Sequence, residues 1–257
     1  MLPPTIPCAC LVALCAWSSV GLAGSRPYGF TQGTESLQSA ELELESWFTA
    51  VNPRGAGIDN LRWDWWLGPV VGLSDHFEAG LFAIFDQPPA PAGLALSELR
   101  LQLSWSPVER MAWPVDVRFR GEVGAPMSFT PDGGSYSLWA LAMIGKDLGA
   151  LNLTANVGGW LRAGKKEEPD GDVETTWYRY LNYSAAASYA LTAALRVGGE
   201  AFGDFRTDTP ARGHWAGPTL AYGTGRLWMS MSFLFALTDD TQVWSKDMGR
   251  IVVGLLF

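Results

Sequence analysis

Polar and apolar residues alternate in segment after segment, the connections are by turns tight and long, and no stretch beyond the N-terminus offers 18 uninterrupted apolar residues. These observations predict an all-β fold, an antiparallel up-and-down transmembrane β-barrel of about 12 strands. A period of two sends successive side chains to opposite faces of a strand. In a barrel set in lipid, the polar face lines the lumen and the apolar face meets hydrocarbon, so each segment looks only half hydrophobic. A chain that is 48% hydrophobic and rich in Trp and Gly, without helical periodicity, suits that arrangement.

The N-terminus is expected to be removed. An apolar run from Ile6 to Val20 ends in Gly21-Leu22-Ala23-Gly24, with small residues where a signal peptidase reads its site, so residues 1–24 are read as a secretory signal peptide. The run is shorter than the roughly 20 residues a membrane helix needs. All three cysteines, Cys8, Cys10 and Cys15, fall inside it, and Leu14 stands where a lipoprotein site would need a small residue. The mature chain is therefore expected to lack thiols, disulfides and thiolate metal sites, and no cofactor is expected. A net charge of -8 argues against a nucleic-acid partner.

Residues 25–37, with Arg26-Pro27, Gly29 and Gly33, carry no pattern and are read as a short periplasmic extension; whether they enter the lumen as a plug stays open. The barrel is assigned to residues 38–257. Its first strand sets Glu41, Glu43, Glu45 and Trp47 against Leu42, Leu44 and Phe48. After a loop from Asn52 to Gly57, Arg62, Asp64 and Trp66 alternate with Trp63, Trp65 and Leu67, and Gly68-Pro69 marks a bulge or kink because Pro cannot donate to the ladder. Gly72-Leu73-Ser74-Asp75-His76 forms a tight turn into Glu78–Asp86, and Pro88 to Gly93 a longer loop. The next pair is clearer: Glu98, Arg100, Gln102 and Ser104 against Leu99, Leu101, Leu103 and Trp105, then Asp116, Arg118, Arg120 and Glu122 against Val115, Val117, Phe119 and Val123.

The same grammar continues. A strand from Tyr136 to Gly145, of unassigned register, turns at Lys146–Gly149 into Asn152, Thr154 and Asn156, and runs out through Trp160 and Arg162 into a charged loop, Lys165 to Glu174. Strands near Trp177–Ala190 and Leu195–Arg206 meet at Leu191-Thr192-Ala193. A loop through Pro210 and His214 leads to Trp215–Tyr222, Gly223-Thr224-Gly225 turns it into Leu227–Ala236, and Asp239 to Asp247 precedes the closing strand. If the first strand starts in the periplasm, long connections follow odd-numbered strands and lie outside the cell, while tight turns follow even-numbered ones. Trp47, Trp63, Trp105, Trp113, Trp139, Trp177, Trp215 and Trp244 fall near strand ends and are expected, in part, to form interfacial girdles.

In the last strand, Ile251, Val253, Leu255 and Phe257 share one face. That run resembles the C-terminal assembly signal of bacterial outer-membrane barrels, which implies the barrel-assembly machinery as a partner. Together with Gly33-Thr34-Glu35 before a Glu-alternating strand and the turn Gly72-Leu73-Ser74-Asp75-His76-Phe77-Glu78, it makes nearly the whole mature chain similar to the transporter-like barrels of the MetA-pathway of phenol degradation family. The resemblance implies a bacterial outer-membrane location and passage or binding of small, often apolar or aromatic compounds, with no reaction.

Candidate chemistry is sparse. Outer-membrane lipid hydrolases pair a His with a Ser on the outer surface; here His76 falls in a periplasmic turn, and His214, near the outer rim, has no Ser at matching height and face. No catalytic residue and no resident metal are therefore assigned. Asp170, Asp172 and Glu174 could hold Ca²⁺ or bridge to lipopolysaccharide, but Lys165 and Lys166 offset their charge and a solvated loop is the simpler account. The lumen carries more information. Glu41, Glu43, Glu45, Arg62, Asp64, Glu78, Asp86, Glu98, Arg100, Asp116, Arg118, Arg120, Glu122, Arg196, Glu200, Asp204, Arg206 and Arg250 are expected inside, with Trp66, Phe82, Trp160, Phe202 and Trp228. Barrel closure is expected to bring the Glu41–Glu45 ladder near Arg250 on one side and Arg62 on the other. Interleaved acids and arginines across a water-filled bore would orient a polar solute; packed as ion pairs they would close the bore. The expectation is an outer-membrane channel or transporter for passive uptake of a small amphipathic or aromatic solute, in contact with outer-membrane lipid and lipopolysaccharide. A closed structural or adhesion barrel is the alternative, and a lipid hydrolase is a more distant one.

Overall fold

The computed structural model describes residues 26–53, 61–87, 94–127, 136–167, 173–209, 212–238 and 245–257. They form one closed barrel of 12 antiparallel strands: β1 (Leu42–Pro53), β2 (Arg62–Ser74), β3 (Phe77–Asp86), β4 (Ala95–Trp105), β5 (Asp116–Pro126), β6 (Tyr136–Leu148), β7 (Leu151–Glu167), β8 (Val173–Ala190), β9 (Leu195–Arg206), β10 (Arg212–Thr224), β11 (Leu227–Ala236) and β12 (Ser245–Leu256). Each strand pairs with its neighbours in sequence, and β1 pairs with β12 to close the circle. Closure leaves no free edge, so every ladder donor and acceptor of the wall can be met within the sheet.

The period of two sorts the side chains as the alternation predicts. On β1, Glu43 and Glu45 are buried inside while Leu42, Leu44 and Phe48 stand exposed outside; on β4, Gln102 and Ser104 are buried and Leu99, Leu101 and Leu103 are exposed. In water such a continuous apolar exterior would be an aggregation surface, whereas a bilayer matches it. The register of β6, open from sequence, is fixed by Leu141 and Met143 buried on the inner side. Two gaps in the ladders coincide with proline: β2–β3 pairing skips Gly68 and Pro69, and β10–β11 pairing skips Gly217 and Pro218.

Several expectations are corrected. β7 and β8 continue into the charged stretch read as a loop, pairing out to Glu167 with Val173; Asp170 and Asp172 of the suggested cation site lie outside the described residues. His214 belongs to β10 and not to the loop before it. The connection from β4 to β5 runs from Ser106 to Val115 and is not a tight turn, unlike the others at that end. Trp63, Trp105 and Trp177 face outward as a girdle requires, but Trp47 and Trp215 are buried inside and Trp139 lines the lumen; Trp244 and the 1–24 signal lie outside the described residues. Register explains the failure: these three tryptophans share the parity of luminal Glu45, Leu141 and Gly213. The glutamate ladder also misses its expected partners, because β12 sets Gly254 opposite Glu45 and Arg250 opposite Thr49, and β2 sets Arg62 opposite Val51.

Candidate functional site

Residues 26–37, read as a short periplasmic extension whose entry into the lumen the sequence leaves open, run inside the barrel, with Arg26, Tyr28, Phe30, Thr31, Gln32, Thr34 and Leu37 all buried. The physical reason lies in the wall. Inward carboxylates cut off from water are costly unless paired and hydrogen-bonded, and the segment supplies the missing donors. Glu200 on β9 accepts from three successive backbone amides, Gly29 N at 2.9 Å, Phe30 N at 2.9 Å and Thr31 N at 2.6 Å, and from the Ser232 hydroxyl. Arg26 pairs with Glu45 at 2.5 Å and donates to Gln32 Oε1 at 3.1 Å, which also receives Arg120 at 2.8 Å. Tyr28 donates to Asn152 Oδ1 at 2.7 Å, while Leu37 N donates to Glu78, itself held by Arg118. Charge-assisted hydrogen bonds of this kind contribute about 1.5–3 kcal/mol each.

The return from this segment into β1 is tightly built. Ala40 adopts a positive φ of 66° and donates its amide to Gly72 O at 2.8 Å, and Gly72 N donates to Glu41 O at 2.9 Å. A side chain at Gly72 would run into the carbonyl of Gln38, so the close approach of hinge and wall requires glycine there. Farther round the same end, Arg110 in the β4–β5 connection reaches Glu35 at 3.2 Å and Asp147 at 2.5 Å. Burial works against its charge, but Glu35, Asp147 and Asp116 together raise its pKa above the ordinary arginine value.

On the long-loop side of the segment the lumen opens into a chamber of about 320 Å³. Phe30 and Gln32 form part of its floor, so the inserted segment shapes the cavity as well as filling the space beneath. Its walls are aromatic. Trp47 and Trp66 stack face to face at 5.5 Å and 4°, and Trp160 stacks on Tyr180 at 3.9 Å, with Trp139 and Phe202 completing the lining. Arg250 lies over Phe30 at 4.4 Å and over Trp47 at 5.7 Å, and Arg100 lies over Trp66 at 4.3 Å, both cation–π arrangements. Arg100 is tied back to Glu98 at 2.7 Å and Glu122 at 3.2 Å, and Arg250 to Thr49 at 3.0 Å. Asp64 and Asp204 add carboxylates to the wall, the latter bonded by the Trp160 indole. A volume near 300 Å³ whose walls combine aromatic rings with polar groups such as Asp64, Arg100, Asn156, Asn182 and Arg250 fits a small amphipathic molecule.

Asp86 is exposed at the end of β3 and Arg206, at the end of β9, is held by Asp208, while most of the other predicted luminal residues divide into three groups. Glu43, Glu45, Glu78, Arg118, Arg120 and Glu200 are buried around the inserted segment, and Asp116 closes the same end by accepting from Met111 N at 2.5 Å. Asp64, Arg100 and Arg250 line the chamber, with Glu98 and Glu122 behind Arg100. Glu41, Arg62 and Arg196 sit at strand ends: Glu41 accepts from Gln38 N at 2.7 Å, Arg62 is exposed, and Arg196 donates to Ser188 Oγ at 3.1 Å and Ala150 O at 3.2 Å. Ile251, Leu255 and Phe257 are exposed on the outer face, with Val253 half-buried among them. Sequence reasoning missed Arg26, Tyr28, Gln32 and Trp139. A signal for the first existed, since Glu43 and Glu45 formed a carboxylate ladder with no basic residue on the same strand.

The two histidines take bland or unexpected partners. His76 Nδ1 lies 3.0 Å from Ser106 O, and His214 Nδ1 lies 2.7 Å from the Tyr183 hydroxyl on the outer wall. Neither of these contacts is the His–Ser pair of a hydrolase.

No protein-family model and no curated protein sequence matches the chain. Solved structures do share its shape. It is similar to the NanC porin (10% identity, TM-score 0.55, 83% of this chain and 98% of that one) and to an outer membrane channel from Pseudomonas putida F1 (10% identity, TM-score 0.57, 87% and 98%). It is equally similar to the translocator domain of the autotransporter NalP from Neisseria meningitidis (10% identity, TM-score 0.57, 86% and 90%). At this identity the likeness establishes the fold, and the fold is that of an outer-membrane β-barrel.

Proposed function

We propose that the chain is a narrow outer-membrane channel for passive uptake of a small amphipathic or aromatic solute, which docks in the chamber before it passes the inserted segment. The carrying observation is the chamber: stacked tryptophans on its walls, two arginines over the rings, and a volume suited to one small molecule. Aromatic faces hold a planar solute by stacking, and the fixed arginines and carboxylates orient its polar end. The similarity of Gly33-Thr34-Glu35, the β2–β3 turn and Phe257 to the MetA-pathway of phenol degradation family favours the same class of solute. Ile251, Val253, Leu255 and Phe257 serve in this proposal as the assembly signal, and residues 1–24 as the secretory signal peptide.

A closed structural barrel is the second reading, favoured by the filled lower lumen. The two separate in a binding experiment on refolded protein, titrated with benzyl alcohol, indole and glucose by isothermal titration calorimetry. Saturable binding of the two aromatics, about fivefold weaker in Trp66→Ala, is the expected result. Absence of saturation with either aromatic would sink the uptake reading and leave the closed barrel.

A further inference from the structure

The outer wall carries a second concavity that the channel does not use. On the lipid-facing side of β10 to β12 and β1, a groove of about 560 Å³ is lined by Phe48, Pro218, Leu220, Met231, Phe233 and Ile251, and it lies where the β10–β11 ladder is interrupted at Gly217 and Pro218. Gly249 leaves part of it open, since a side chain there would meet the edge of Phe233 and the Ser232 carbonyl only at ordinary contact distances of 3.5 to 4.0 Å. Along β10 the next outward positions above Pro218 are Ala216, His214 and Arg212, toward the long loops. The apolar groove therefore leads directly to a polar cluster.

That cluster is built across three strands. Tyr183 on β8 is opposite Gly203 on β9, which is opposite His214 on β10. The Tyr183 ring lies over Gly203, where any side chain would collide with it, and so reaches His214 Nδ1 at 2.7 Å. Arg179, four residues before Tyr183 on β8, and Arg212, two residues before His214 on β10, stand exposed on the long-loop side of this pair with the same outward parity. The nearby carboxylate, Asp208, is occupied by Arg206 through both oxygens, at 3.1 and 2.6 Å.

We propose that this wall binds one outer-leaflet lipid with a phosphorylated disaccharide headgroup, an acyl chain lying in the groove and the phosphates meeting Arg179, Arg212 and the Tyr183–His214 pair. Arg179 and Arg212 are two strands apart and offset by two residues along them, roughly 12 Å at normal strand spacing and rise, a separation that matches a headgroup with two phosphates better than a single phosphodiester. Guanidinium groups are suited to phosphate by geometry as well as charge. The groove starts about four residues, roughly 13 Å, below the polar cluster, so one amphiphile can span both.

The test is native mass spectrometry of the full mature barrel in detergent, offered diphosphorylated hexa-acyl lipid A or phosphatidylethanolamine. Folding of every variant is checked by heat-modifiable gel mobility. One equivalent of lipid A should survive activation that strips phosphatidylethanolamine. Retention should fall about tenfold or more in the double variant Arg179→Ala, Arg212→Ala, and again in Gly249→Leu, which fills the groove without touching the arginines. Equal retention of both lipids, retention unchanged in either folded variant, or no retained lipid A would overturn the proposal.

Discussion

The lower and upper halves of this lumen are lined from the same strands yet do opposite things with charge. Below, Glu45, Glu78 and Glu200 are consumed by Arg26, Leu37 N and the amides of Gly29 to Thr31, and the space is filled. Above, Arg100 and Arg250 lie over Trp66 and Phe30, Arg250 also donating to Gly29 O at 3.3 Å, and the space is open. The difference does not come from the wall's charge inventory, since acids and arginines occur in both halves. It comes from what reaches them: a segment whose backbone amides satisfy carboxylates closes one half, and bulky rings that hold side chains back against the wall keep the other clear.

This contrast can be broken from below first. Glu200→Ala removes the common acceptor of three amides, a loss of about 4 kcal/mol in segment docking, and should convert an occluded barrel into one with frequent long openings in bilayer recordings. If Glu200→Ala records are indistinguishable from wild type, the carboxylate does not hold the segment. Arg26→Ala strands Glu45 in the interior and should cost about 3 kcal/mol, visible as faster protease cleavage within residues 26–37 at unchanged barrel heat-stability. From above, Trp66→Ala should weaken binding of a small aromatic by about 1 kcal/mol and leave the conductance of the occluded state as it was; an accompanying opening would mean that the halves are not separate. The smallest effect is expected at the hinge. Ala40→Gly relieves a left-handed backbone worth about 1 kcal/mol and should slow spontaneous openings a few-fold.

Much of this was legible in the residues. Alternation over segments such as Glu98–Trp105 and Asp116–Val123 gave strand identity, face and count together, because a half-buried strand has no other way to be written. Turn and register were less accessible. Nothing local distinguishes Trp47 within β1 or Trp215 near the start of β10 from a lipid-facing girdle residue except parity, and nothing in the charged stretch shows that β7 and β8 keep pairing out to Glu167 and Val173. The inserted segment was the least legible, since residues 26–37 have no period of their own. Their conformation is dictated by carboxylates as far as 171 positions away, as in the Gly29–Glu200 bond. The chamber was half visible: Asp64, Arg100, Arg250, Trp66 and Trp160 carried the right parity, while its floor depended on the segment.

Residues 26–37 fill the lower lumen beneath a chamber that is otherwise continuous with it. Single-channel conductance of the refolded barrel, compared with a variant lacking residues 26–37, tests this most directly. Near-silent wild-type traces with rare openings are expected, and steady ohmic conductance in the deletion variant that retains its heat-modifiable folded form. Equal conductance of the two folded proteins would contradict it.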